Sequence, residues 1–208
     1  MQDLVNQIGP GGRADVSLPG GTVSIRGTCG VSPGETDRVT FLRQVHGAVI
    51  LTDPSGGEEA DGMIMGPGSP MPGLRVADCL PVMLAGEGYT AGFHAGWRGL
   101  AAGIAGAMIR AIPSPPHWVF MGPCICPVCY SVGSTVREAV LNGLPRHGHP
   151  SGGLDLSLAT LDGMLASGLP EGTAIHRIAE CTRCRRDLFH SYRADGTTLR
   201  NLVWLASS

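Results

Sequence analysis

The hydrophobic pattern changes period several times along the chain, and strand-like runs outnumber helical ones. Residues 22–26 alternate apolar and polar side chains, which predicts a short edge strand. Residues 39–45 and 48–51 are rich in β-branched and apolar types and flank His46-Gly47, predicting a strand, a break and a second strand. Residues 62–65 fit another short strand. Residues 74–77 and 81–85 are continuous apolar runs that bracket Asp78 and Cys79, and 89–94 reads as a central strand ending on His94. Residues 118–121, 174–178 and 199–205 predict three more strands.

The clearest helix is 99–112, where Leu100, Ile104, Met108 and Ile109 share one face. Gly103 and Gly106 cost helix stability there but permit close packing on a sheet. Pro113 and Pro115 stop it. Residues 135–142 also predict a helix. So do 155–167, with Asp155 as the cap and Leu158, Leu161 and Leu165 facing inward. The expected fold is mixed α/β (α+β), a single domain over 22–208. Residues 1–21, rich in Gly and Pro, are expected to form a flexible arm.

Composition sharpens this picture. The chain has 208 residues, 43% hydrophobic and 15% charged, enough for a real core and too apolar for disorder. Its 32 glycines and 16 prolines argue for many turns and against a helical bundle. The net charge is −2 and lysine is absent, so no basic stripe exists to track a nucleic-acid backbone. The start lacks the pattern of a signal peptide, and no apolar run approaches the ~20 residues needed to span a bilayer. The expectation is a cytoplasmic protein with no membrane or nucleic-acid partner. Its seven cysteines would then be reduced thiols or metal ligands.

Three residues stand out as chemistry. His46, Cys79 and His94 each lie beside a Gly or Pro at the end of an apolar run, where a rigid scaffold presents functional groups. If they meet, two imidazoles and a thiolate favour Zn²⁺ and leave one position open; copper(I) also accepts this set. Asp78 would orient a ligand, carry a proton, or serve only its turn. Arg98 follows His94 closely and either holds an anion or stacks on Trp97; Arg43 points into the same cleft or lies on a solvated strand face. Cys79 also permits a rival reading as a nucleophile activated by a histidine. A second group comprises Cys124, Cys126, Cys129, Cys181 and Cys184. Its two Cys-x-x-Cys pairs match a four-sulfur metal site, but their separation favours buried free thiols.

Four motifs together resemble a known family: Gln44-Val45-His46-Gly47, Ala60-Asp61-Gly62, Ala77-Asp78-Cys79-Leu80-Pro81-Val82 and His94-Ala95-Gly96-Trp97-Arg98-Gly99. Gly122-Pro123, Cys129-Tyr130, Leu154-Asp155-Leu156 and Ser191-Tyr192-Arg193 with Asp195-Gly196 extend the match from about residue 22 to the end. The chain resembles the YfiH/PgeF family, often labelled "laccase domain" or polyphenol oxidase. That resemblance implies a layered sandwich of mixed sheets flanked by helices, with metal ligands at His46, Cys79 and His94. It also implies a zinc-dependent enzyme that cleaves adenosine, inosine or methylthioadenosine with phosphate and deaminates adenosine. The alternatives are copper-dependent phenol oxidation, or a metal-binding protein acting through a partner in peptidoglycan editing. Multicopper sites use His-x-His pairs, and the only one here is His147-Gly148-His149. The chain departs from the family pattern twice. The stretch between Gly30-Val31-Ser32 and His46 is short, lacking an Asn-Arg helix and its arginine, and Ser131 replaces the acidic residue after Cys-Tyr.

Overall fold

The computed structural model describes residues 1–4, 7–144 and 153–207. The strands are β1 (Gln2–Asp3), β2 (Ala14–Leu18), β3 (Gly21–Arg26), β4 (Val39–Phe41), β5 (Ile50–Thr52), β6 (Gly62–Met65), β7 (Met71–Val76), β8 (Leu80–Gly86), β9 (Tyr89–Ala95), β10 (Trp118–Met121), β11 (Ala174–Arg177) and β12 (Asn201–Ser207). The helices are α1 (Trp97–Ala101), α2 (Ile104–Ala111), α3 (Ser134–Leu141), α4 (Leu156–Leu165) and α5 (Tyr192–Asp195).

The strands form two mixed sheets. One runs β1-β11-β10-β8-β9-β6-β5 and the other β2-β3-β12-β7-β4. Strand periodicity explains how the layers stack. In β8, Leu80, Val82 and Leu84 join the core beneath the helices, while Met83 and Ala85 join the core between the sheets. In β10, Val119 and Met121 face the helices, and Trp118 and Phe120 meet Val23, Ile25, Leu74 and Val203 of the other sheet. A strand buried on both faces shows a continuous apolar run rather than alternation. The result is helices on sheet on sheet, as expected for an α+β sandwich.

Four expectations are corrected. Residues 1–21 hold β1, a 3-10 turn at Pro10–Gly12 and β2, and β1 pairs in parallel with β11. Their glycines and prolines supply the turns around β2 rather than a loose arm; Gly12 lies against Leu188, where a side chain would collide with its carbonyl oxygen. Consequently β3 is not an edge, because β2 covers it. The 99–112 helix is broken: Gly103 takes φ 85°, separating α1 from α2. Lastly, α4 buries Leu156, Ser157, Ala159, Thr160 and Met164 and leaves Leu165 exposed, while Leu161 does pack against the core and Asp155 does cap the helix by accepting from the Leu158 N–H at 3.0 Å. His147 and His149 lie outside the described residues. Among the described residues no helix is long and apolar enough to cross a membrane.

Candidate metal centre

The first ligand position comes from the turn after β4. His46 sits at φ 62°, a left-handed conformation that costs a non-glycine residue energy. The carboxylate of Asp61, immediately before β6, holds that turn. Asp61 Oδ2 accepts the N–H groups of Val45 (3.1 Å) and Gly47 (2.6 Å), and Oδ1 accepts the N–H of His46 at 2.9 Å. The second position, Cys79, sits in the tight link from β7 to β8, preceded by Asp78 at φ 88°. Strained residues of this kind persist only where their surroundings over-determine them. The third, His94, is buried near the end of β9 and donates or accepts through Nδ1 to Asp61 Oδ1 at 2.8 Å.

One ligand atom from each of His46, Cys79 and His94 lies within 4.8 Å of the others, and the two imidazole rings meet edge to face at 4.7 Å. Because Asp61 occupies Nδ1 of His94, Nε2 is left as that ring's ligand nitrogen, an arrangement metal-ligating histidines commonly adopt. Burial pushes the Cys79 thiol up, but both imidazoles outweigh it and bring it down to about 6. Burial likewise opposes charge on His94, yet Asp61 and Cys79 raise it to about 9. Asp61 is wholly buried; burial raises its carboxyl, and its partners His94, Gly47 and His46 pull it below the ordinary value. A thiolate and two histidines with one fixed outer nitrogen fit a soft or borderline divalent cation, so the donor chemistry suits a metal.

The helix after His94 closes against this cluster. A Cβ on Gly96 would lie 2.9 Å from Cys79 Sγ and 3.1 Å from His46 Cδ2, and one on Gly99 would lie 2.9 Å from the Gly47 carbonyl oxygen. Gly96→Ala is therefore expected to displace the thiolate or the imidazole and to lower metal affinity by about tenfold or more, an effect at least as large as losing an outer partner of a ligand. Competition with a chromogenic chelator measures it.

The three residues open onto a cavity of about 570 Å³. Arg75, Arg98, Arg193 and Arg200 line it together with Gln44, Trp97, Tyr130 and Tyr192. Of the two alternatives for Arg98, the stacking is seen: its guanidinium lies over the Trp97 ring at 4.6 Å, and the residue also lines the cavity. Arg193 stacks on Tyr130 at 5.1 Å, and Arg75 on Phe41 at 4.1 Å. Arg43 lies outside this lining, exposed and paired with Glu59 across a short parallel bridge. Asp78 lines the cavity, but its carboxylate is spoken for: Oδ1 accepts the Thr182 hydroxyl at 2.7 Å and Oδ2 the Arg193 N–H at 2.6 Å. The carboxylate that orients a histidine is Asp61, whose only sequence signal was Ala60-Asp61-Gly62. Arg193 had only the Ser191-Tyr192-Arg193 motif as a signal, and Arg75 and Arg200 gave none, being exposed arginines on separate segments.

A family model described as multi-copper polyphenol oxidoreductase laccase matches residues 26–206. The chain is 33% identical to purine nucleoside phosphorylase YlmD of Geobacillus stearothermophilus, over 81% of this chain and 72% of that protein. It is 35% identical to purine nucleoside phosphorylase PA4543 of Pseudomonas aeruginosa, over 81% and 74%. Adenosine deaminase RL5, from an unknown prokaryotic organism, is 32% identical over 60% of this chain and 53% of its own length. The crystal structure of YlmD superposes with a TM-score of 0.80 at 26% identity, covering 94% of this chain and 96% of that one.

Proposed function

This chain belongs to the laccase-named family of YfiH and YlmD, and on that premise we propose that it is a zinc-dependent purine nucleoside phosphorylase that also deaminates adenosine. The observation that carries the proposal is the convergence of His46, Cys79 and His94 within 4.8 Å beside an arginine-rimmed cavity. The names of its relatives supply the substrate class: purine nucleosides and phosphate for most, adenosine for one.

In this reading His46, Cys79 and His94 hold the ion. Zinc bound there supplies Lewis acidity and lowers the pKa of adjacent water to about 7. Asp61 keeps His94 in the ligating orientation and fixes the His46 turn. Arg98, with Arg75, Arg193 and Arg200, holds phosphate through charge-assisted hydrogen bonds. Phosphate oxygen forms a bond to the anomeric carbon of the ribose while the bond from that carbon to the purine nitrogen breaks, and the departing base takes the electron pair and the proton that hydrogen phosphate gives up, directly or through solvent. Asp78 acts as a positioning residue, its carboxylate tying the Thr182 hydroxyl and the Arg193 N–H to the turn beside Cys79. Arg43 has no part, paired as it is with Glu59. Aromatic rings of Trp97, Tyr130 and Tyr192 offer faces for the base.

Incubating zinc-loaded protein with adenosine, inosine or methylthioadenosine and phosphate, followed by chromatography, tests this. Free base is expected from all three in proportions that set the preference, with ribose 1-phosphate from adenosine and inosine, 5-methylthioribose 1-phosphate from methylthioadenosine, and inosine also formed from adenosine. No purine product, together with copper-dependent oxygen uptake on a phenol, would overturn the proposal in favour of oxidation.

A further inference from the structure

The cysteines that the sequence left as free thiols are brought together by the sheet. β10 and β11 are parallel neighbours, with Met121 opposite Arg177, so their C-terminal ends exit side by side. Each is followed within a few residues by a Cys-x-x-Cys turn. A short parallel bridge joins Cys124 to Cys181, and the Thr182 N–H donates to the Cys124 carbonyl at 3.2 Å. One sulfur from each of Cys126, Cys129, Cys181 and Cys184 then lies within 4.8 Å of all the others, and all four are free thiols.

We propose that these four cysteines form a second metal site, a closed tetrathiolate zinc centre separate from His46, Cys79 and His94. The spacing carries the argument. Four sulfurs at about 2.3 Å from one tetrahedral ion lie about 3.8 Å apart, within the observed span. A multi-iron cluster needs its thiolates on different iron atoms and hence a wider frame. The Cys126 N–H donates to Cys181 Sγ at 3.3 Å, the kind of bond that favours a thiolate. Arg183 and Arg186, the latter also paired with Asp195 at 3.0 Å, line a shallow cavity with Cys129 and Cys184, so Arg183 places positive charge beside a centre that keeps net negative charge after zinc binds. Cys124 stands apart, its thiol facing Ser157 and pushed up to about 12 by burial.

Four protein ligands leave no open position, so the centre is structural. Its two turns both end on Asp78. The Ile125 N–H donates to the Asp78 carbonyl at 2.9 Å, and Thr182 donates to the Asp78 carboxylate. Zinc at the four cysteines thus pins the wall that sets Asp78 and, next to it, Cys79.

Zinc analysis and zinc X-ray absorption on the full chain carrying Cys79→Ala test the proposal, because that variant keeps all four cysteines whatever the fate of the other centre. After loading and desalting, one zinc per chain with four sulfur neighbours at about 2.3 Å is expected. Cys184→Ser, at the exposed end of the site, is expected to weaken zinc retention in this background by about tenfold or more in chelator competition. Zinc bound through nitrogen or oxygen, no retained zinc, or a mass deficit revealing disulfides among the four in protein kept under reductant would overturn it.

Discussion

Replacing Cys79 by alanine is expected to abolish turnover of purine nucleosides while the fold survives. The thiolate is the only sulfur among the three ligands, and without it two imidazoles remain around an open cavity. Zinc content should fall by one equivalent per chain. The rate on any accepted nucleoside should fall by at least on the order of 10³-fold, since losing a single electrostatic stabiliser of a transition state already costs 10²–10³. The link between β7 and β8 stays anchored through Asp78, whose hydrogen bonds to Ile125, Thr182 and Arg193 do not involve the sulfur. Circular dichroism should therefore match the parent. Unaltered turnover in a folded variant would place the chemistry elsewhere.

Asp61→Asn has the second-largest expected effect, and it acts on two properties at once. Each carboxylate oxygen of Asp61 accepts from two partners, Oδ1 from His46 N–H and the His94 ring, Oδ2 from the N–H groups of Val45 and Gly47. An amide keeps one acceptor oxygen and presents an NH₂ where the other stood, so two of these four partners lose their bond. Each buried donor orphaned in this way costs about 1–3 kcal/mol. Denaturant melts should register that loss in the metal-free protein. Separately, freeing the outer nitrogen of His94 should weaken zinc binding about 10–100-fold. A variant with unchanged zinc affinity would mean that Asp61 serves only the turn.

The difference between Asp61 and Asp78 shows how far the sequence could be read. The three candidate ligand positions stood out because each lies at the end of an apolar run, and the fold brings them together. The strands of the large sheet were legible for a related reason: β6 and β10 are short apolar blocks with turn residues on both sides, and the same residues mark them in the structure. Adjacency misled the assignment of the orienting carboxylate. Asp78 is next to Cys79 in sequence, but Asp61 reaches His94 because β6 pairs with β9 in antiparallel register, which only the sheet reveals. The N-terminal strands were hidden by the glycines and prolines around them. Gly103 was read as a tolerated glycine within one helix, whereas its positive φ ends α1 and starts α2. The arginines that rim the cavity come from β7, α1, α5 and the stretch before β12; Arg98 and Arg193 sit in recognisable motifs, but nothing in the local patterns of Arg75 and Arg200 distinguishes them from solvated surface. The approach of the paired Cys-x-x-Cys turns was hidden by their distance in sequence, which the parallel pairing of β10 and β11 spans.

Anomalous-difference crystallography at the zinc edge, on crystals of zinc-loaded protein, bears most directly on the reading of His46, Cys79 and His94 as a metal centre. A peak within bonding distance of one nitrogen from each histidine and of the Cys79 sulfur, with its remaining side facing the arginine-lined cavity, is the expected result. Density that leaves those three atoms without a shared ion, in protein that carries zinc elsewhere, would contradict it.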